Sequence, residues 1–269
     1  MQSVKRRVII VAYYWPPAGG GGVQRWLKFV KYLENTNWEP ILFVPDNPDY
    51  PILDETLAKE IPSNTQVVRV PIFEPFRALR KLLGKENAGI SAGFINENKS
   101  SGVFNKILAW GRGNLLIPDA RKYWIKPASK AILNYVSNNK VDAIISSGPP
   151  HSMHLIALNV HNKTALPWLA DFRDPWVNMD NADKFKMSAW ARKKHIRLER
   201  MVLEKATAVD TVSWHLSHEY EKIRLKEVKV LTNGFDHVDL EGKTSQLTNE
   251  FIVGHYGTFG DDRNPSALW

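Results

Sequence analysis

The chain has 269 residues, 43% hydrophobic, 24% charged and 11% aromatic, an ordinary globular composition that excludes disordered, collagen-like and low-complexity polypeptides. It contains no cysteine, which excludes a disulfide scaffold, an iron–sulfur centre, a thiol nucleophile and thiolate zinc sites. Its 36 Lys and Arg against 28 Asp and Glu leave a net charge of +8, so the surface is expected to attract nucleic acid, anionic lipid or phosphorylated small molecules.

Short β-branched runs alternate with longer amphipathic ones, the pattern of βαβ units and a parallel sheet covered by helices. Val8 to Tyr14 reads as the first strand; ahead of Pro16-Pro17 it is too short for a secretory leader, and the expected location is the cytoplasm. Val23, Trp26, Leu27, Val30 and Leu33 then fall at helical spacing, and Pro40 to Val44 reads as a second strand. Asp54 to Ile61 reads as a short helix and Gln66 to Val70 as a third strand. From Glu74 to about Lys99 the signal weakens among Gly84, Gly89 and Gly93, as in an insertion or mobile loop. A helix through Ala131 to Val136 follows, started or kinked by Pro127, then strand Val141 to Ser147, helix His151 to His161 and strand Pro167 to Phe172. A long helix around Lys184 to Lys205, strand Ala208 to Val212, helix Trp214 to Arg224 and strand Glu227 to Leu231 complete the first domain, 1–236.

Residues 237–250 are composed like a linker, and Phe251 to Phe259 reads as a fresh strand ending in Gly257-Thr258. Asn264-Pro265 then forms an N-cap with proline at the first helical position. One strand and one helical turn cannot bury their apolar faces alone, so 251–269 is expected to be the truncated start of a second α/β domain. The alternative is a strand added to the edge of the first sheet.

In open parallel sheets ligands bind beyond the carboxyl ends of the strands. The first such loop, Tyr13 to Gly22, carries Gly19, Gly20, Gly21 and Gly22 directly ahead of a helix with Arg25, an arrangement suited to a phosphate at free helix N–H groups. It is not a Walker A loop, since Val23-Gln24-Arg25 stands where Gly-Lys-Ser/Thr belongs. The second, Ser146 to His151, places His151 at a helix start, where the dipole disfavours protonation and leaves an imidazole able to accept a proton. The third is Asp171-Phe172-Arg173-Asp174-Pro175-Trp176, three charges at the end of an apolar strand. These are held for a ligand or paired with one another, Asp171 with Arg173, with Asp174 as a helix N-cap. The D-x-x-D spacing is not that of a metal pair, and no bound metal is expected. Asn233-Gly234 reads as a turn.

Aromatic and basic residues interleave at Trp110, Arg112, Arg121, Lys122, Tyr123, Trp124 and Lys126, as suits peripheral contact with an anionic membrane. Arg192, Lys193, Lys194, Arg197 and Arg200 are diluted by Glu199 and Glu204, and read more simply as a solvated helix face. No helix-turn-helix, zinc-finger or RNP signature is present, so no nucleic-acid partner is expected.

Read in order, Tyr14-Trp15-Pro16-Pro17 with the glycine loop, Ser147-Gly148-Pro149-Pro150-His151-Ser152, Asp171 to Trp176, Thr232 to Asp236 and His255 to Phe259 resemble the N-terminal half of a family 4, GT-B type glycosyltransferase of bacterial surface-polysaccharide pathways. The resemblance implies a Rossmann-like acceptor-side domain facing a donor-binding one, and metal-independent, retaining transfer from a nucleotide sugar to a glycan or lipid-linked acceptor. The nucleotide sugar is a co-substrate, and no cofactor is implied. By position, Gly19 to Gly22, Arg25, Asn233, Gly257 and Thr258 would serve the donor and its phosphates. Asp171, Arg173 and Asp174 would face the anomeric centre. Many relatives carry a histidine in that loop where this chain reads Asp-Phe-Arg-Asp, which makes Asp174 the first catalytic candidate and His151 the second. The 269-residue piece is expected to be inactive without the donor half. A GT-B sugar-nucleotide epimerase and a non-catalytic glycan- or membrane-binding module are the alternatives.

Overall fold

A computed structural model of the chain describes residues 5–82, 110–178, 187–242 and 249–254. The chain divides into two units, Met1–Gly234 and Phe235–Trp269. In the first, the strands are β1 (Arg6–Val11), β2 (Trp38–Asp46), β3 (Gln66–Pro71), β4 (Ala143–Gly148), β5 (Trp168–Phe172), β6 (Ala208–Thr211) and β7 (Lys229–Val230). Its helices include α1 (Gly21–Leu33), α2 (Pro75–Leu82), α3 (Ile125–Asn138), α4 (Ser152–Thr164), α5 (Ala189–Lys205) and α6 (Trp214–Arg224). Short 3-10 turns occupy Glu55–Glu60 and Ala120–Trp124.

Among the described residues the seven strands are all parallel, in the order β3-β2-β1-β4-β5-β6-β7. This is the Rossmann-like α/β sheet expected from the alternating pattern. The order grows outward from β1 in both directions, so the crevice lies beyond the carboxyl ends of β1 and β4. Because successive strand residues point to opposite faces, Ile9, Val11, Ile41 and Phe43 join a core with α3 and α4, while Ile10, Leu42 and Val44 pack against Val23, Trp26, Leu27 and Val30 of α1. Each such fully buried side chain contributes about 1.5–3 kcal/mol. Caps fix the helix ends: the Ser213 hydroxyl accepts from the Leu216 amide, and Leu225, at φ 56, turns the chain out of α6.

Several boundaries differ from the sequence expectation. β1 stops at Val11, because Ala12 to Gly20 leave the sheet to build the first loop; the Tyr13 ring is buried there and its hydroxyl donates to Glu74 Oε1 at 2.6 Å. Pro127 is the third residue of α3, where its missing N–H costs no helical hydrogen bond, so it starts the helix instead of kinking it. The long helix α5 begins at Ala189, capped by Ser188. The weak stretch from Glu74 contains α2 in its described part; the remainder lies outside the described residues.

In the second unit, His237–Leu240 form a 3-10 turn capped by Asp236 inside the expected linker. Residues 251–254 carry no strand, and the rest of the expected strand, with Gly257 and Thr258, lies outside the described residues. Among the described residues no helix is long and apolar enough to cross a membrane.

Candidate active site

Three loops meet beyond the carboxyl ends of β1, β4 and β5, and one side chain joins them. Arg173 Nη1 donates to the Gly22 carbonyl at 3.3 Å and Nη2 donates to the Pro149 carbonyl, while the Arg173 amide donates to Gly148 O at 3.0 Å. A Cβ on Gly22 would stand 2.8 Å from Arg173 Nη1, so any larger residue at 22 would push the guanidinium out of this position. Burial holds the Arg173 guanidinium below its usual range.

The glycine loop is anchored at one end and open at the other. The Gly19 amide donates to Ile52 O at 2.9 Å, whereas Gly20 and Gly21 are exposed and a Cβ on either would meet nothing within 4 Å. Gly20 has φ 91, a left-handed conformation that favours glycine, and no side chain caps α1. The amides of this helix start are therefore available to an anion.

Arg25 is turned into the protein. Its Nη2 donates to Asp171 Oδ1 at 3.0 Å and Asp210 Oδ2 at 3.2 Å, and its Nη1 to Leu231 O at 3.0 Å and Asn233 Oδ1 at 3.1 Å. The guanidinium ties α1 to the ends of β5, β6 and β7, and it occupies the amide oxygen of Asn233, another residue expected at the phosphates. Asp171, fully buried, also accepts from Trp26 Nε1 at 2.8 Å and the Ser147 hydroxyl at 2.7 Å. Its partner is thus Arg25 instead of Arg173. Asp210 lies beside it in register, and burial together with the neighbouring Asp171 charge pushes its carboxyl well above the ordinary carboxylate range.

Asp174 is exposed, and no helix starts at it. It lines a recess of about 290 Å³ with Arg173, Asn178, Ser213, His215 and Glu219. His151 is buried, stacked on Trp176 at 4.7 Å with planes 3° apart, and neither ring nitrogen has a hydrogen-bond partner. Burial, reinforced by His154, His195 and Arg173, lowers its pKa well below the usual value, so the ring is neutral. His154 is fully buried too, its Nδ1 2.8 Å from the Ser146 hydroxyl and its pKa pushed down to about 3 by burial.

Three residues without an expected place in the site, His195, Glu199 and Tyr220, hold the Asp174 loop from behind. The Trp176 amide donates to the Tyr220 hydroxyl at 3.2 Å, the Val177 amide to Glu199 Oε1 at 3.2 Å, and Trp176 Nε1 to His195 Nδ1 at 3.0 Å. The only sequence signal was the i, i+4 spacing of His195 and Glu199 on α5. Arg121 donates to the Tyr13 hydroxyl at 3.0 Å and is buried with Glu74, whose carboxyl burial raises above its usual range. Among the described residues no group of three or more His, Asp or Glu could hold a metal ion.

No family model matches the chain, and no curated protein matches it. Among solved structures it is similar to Phytolacca americana UGT2 complexed with UDP-2fluoro-glucose and pterostilbene, at 12% identity and TM-score 0.49, over 87% of this chain and 55% of that one. It is also similar to sucrose-phosphate synthase from Thermosynechococcus elongatus, at 12% identity and TM-score 0.48, over 86% and 49%. Acinetobacter baumannii MurG matches at 15% identity and TM-score 0.42, over 90% and 50%. The chain spans about half the length of each of these structures.

Proposed function

We propose that this chain is the acceptor-side half of a glycosyltransferase that moves a sugar from a nucleotide-sugar donor to a glycan or lipid-linked acceptor in the cytoplasm, without a metal and with retention. The observation that carries the proposal is the Arg173 junction, which gathers the glycine loop, the β4 loop and the Asp174 loop at the switch point of the sheet. Breaking the anomeric C–O bond builds negative charge on the departing diphosphate and positive charge on the sugar ring. The uncapped amides at Gly20 and Gly21 suit the first, and the exposed carboxyl of Asp174 suits the second. Asp174 is the first candidate for the catalytic carboxyl. His151 remains the second, with access as its obstacle. Turnover is expected only where a donor-binding domain completes the cleft.

The test is release of nucleoside diphosphate from a panel of nucleotide sugars by full-length protein, with and without glycan and lipid-linked acceptors. Acceptor-dependent release supports transfer. Turnover of the nucleotide sugar without acceptor would instead identify an epimerase, and no turnover of any donor would leave a binding module.

A further inference from the structure

Three chain segments far apart in sequence form one exposed surface of aromatic and basic side chains. Trp110, Leu115, Tyr123, Phe73 and Trp190 are each between 45% and 61% exposed. Hydrogen bonds connect the segments that carry them: the Ser188 amide, at the start of α5, donates to Asn114 Oδ1 at 2.8 Å, and Asn114 Nδ2 donates to Trp110 O at 2.8 Å. Lys122 Nζ reaches Leu115 O at 2.6 Å and lies 5.1 Å from the Tyr123 ring, which meets Phe73 edge-on at 5.5 Å.

Charge on this surface is segregated. α5 buries His195, Glu199 and Val202 on one face and leaves Arg192, Lys193, Lys194 and Arg197 exposed with Trp190 and Ile196. Glu199, which in sequence diluted the basic cluster, is spent inside on Val177 and Tyr220. From 187 to 198 no acidic residue remains, and from 110 to 126 the single acid, Asp119, accepts from Arg121 and Ser152. Arg121 and Trp124, both in the stretch expected to touch a membrane, are buried and take no part.

We infer that this surface docks on an anionic lipid bilayer, with the indoles and Tyr123 at headgroup level and the α5 lysines and arginines over lipid phosphates. Indole and phenol rings favour that depth, and cations favour that charge. The exposed aliphatic side chains Leu115 and Ile196 gain from burial among acyl chains, which a nucleic-acid backbone does not offer. The inference goes beyond the glycosyl-transfer proposal and stands without it.

Vesicle co-sedimentation of the full chain tests it, using phosphatidylcholine alone against vesicles in which about a third of the lipid is phosphatidylglycerol. The expected result is sedimentation with the anionic vesicles only, weakening as salt shortens the Debye length from about 10 Å toward 3 Å. Each basic residue near such a surface multiplies partitioning by about five, so the double variant Lys193→Glu/Lys194→Glu should lower it more than tenfold. Trp190→Ala should lower it several-fold at unchanged circular dichroism. Equal sedimentation with neutral vesicles, sedimentation with neither, indifference to both variants, or preferential retention on generic double-stranded RNA would each overturn the inference. None of these outcomes depends on sugar transfer.

Discussion

Arg25 Nη2 stands 3.0 Å from Asp171 Oδ1, with the two side chains 3% and 0% exposed, and this buried pair fastens the first helix of the sheet to its fifth strand. Removing one partner of such a pair strands the other charge, which costs about 3–5 kcal/mol. Arg25→Ala should lose stability on that scale in urea unfolding. A change below about 1 kcal/mol would return Arg25 to the role of a surface anion ligand.

Two glycines, one ending β4 and one starting α1, should respond oppositely to alanine. A Cβ at Gly148 would lie 2.5 Å from His154 Nε2 and 3.1 Å from His151 Nδ1, both in buried rings, so Gly148→Ala should cost about 1–3 kcal/mol in thermal unfolding. At Gly21 a Cβ meets nothing within 4 Å. Gly21→Ala should therefore keep or raise stability by up to about 1 kcal/mol, while weakening the proposed nucleotide-sugar binding measured by calorimetry.

Asp174 makes no side-chain contribution to the core, so Asp174→Asn should leave the unfolding midpoint unchanged. In the proposed transfer reaction it should lower kcat by roughly 10²- to 10⁴-fold with a smaller effect on KM. Full activity in that variant would remove Asp174 from the chemistry and move attention to His151.

His154 gives a pH signature. Its folded pKa, about 3, lies below the unfolded value near 6.5, so the unfolded chain binds the proton first as pH falls. The stability it contributes is complete above about pH 6.5 and is lost progressively toward pH 3. Asp210 and Glu199, whose pKa values are raised, act in the opposite sense, since their stability is lost as pH rises. The difference between wild type and His154→Gln isolates the histidine: the wild-type advantage in denaturant unfolding should shrink between pH 6.5 and pH 4, at about 1.4 kcal/mol per pH unit at most. A pH-independent difference would mean that His154 is not held neutral by burial.

Which elements form was legible in the sequence because the relevant signals are local. The apolar spacing of Val23, Trp26, Leu27 and Val30 specifies α1, the runs around Ile41 and Ile144 specify buried parallel strands, and Trp214 to Arg224 is bounded by a serine cap and a left-handed residue. Alternation of these elements then determines a parallel α/β sheet, and the glycine loop and the Asp174 loop fall after strands, where such sheets bind ligands. What each polar residue does depended on partners remote in sequence. Arg25 looked like an anion ligand beside the glycines, yet Asp171 and Asp210, 146 and 185 residues away, draw it inward. Glu199 looked like a surface acid until packing placed it under the Asp174 loop. Arg173 found Gly22 across 151 residues. A buried charge must be matched wherever the fold brings its complement, and that distance in sequence has no local signature, so the sequence supplied the frame and tertiary packing decided which of its charges face inward and which face solvent.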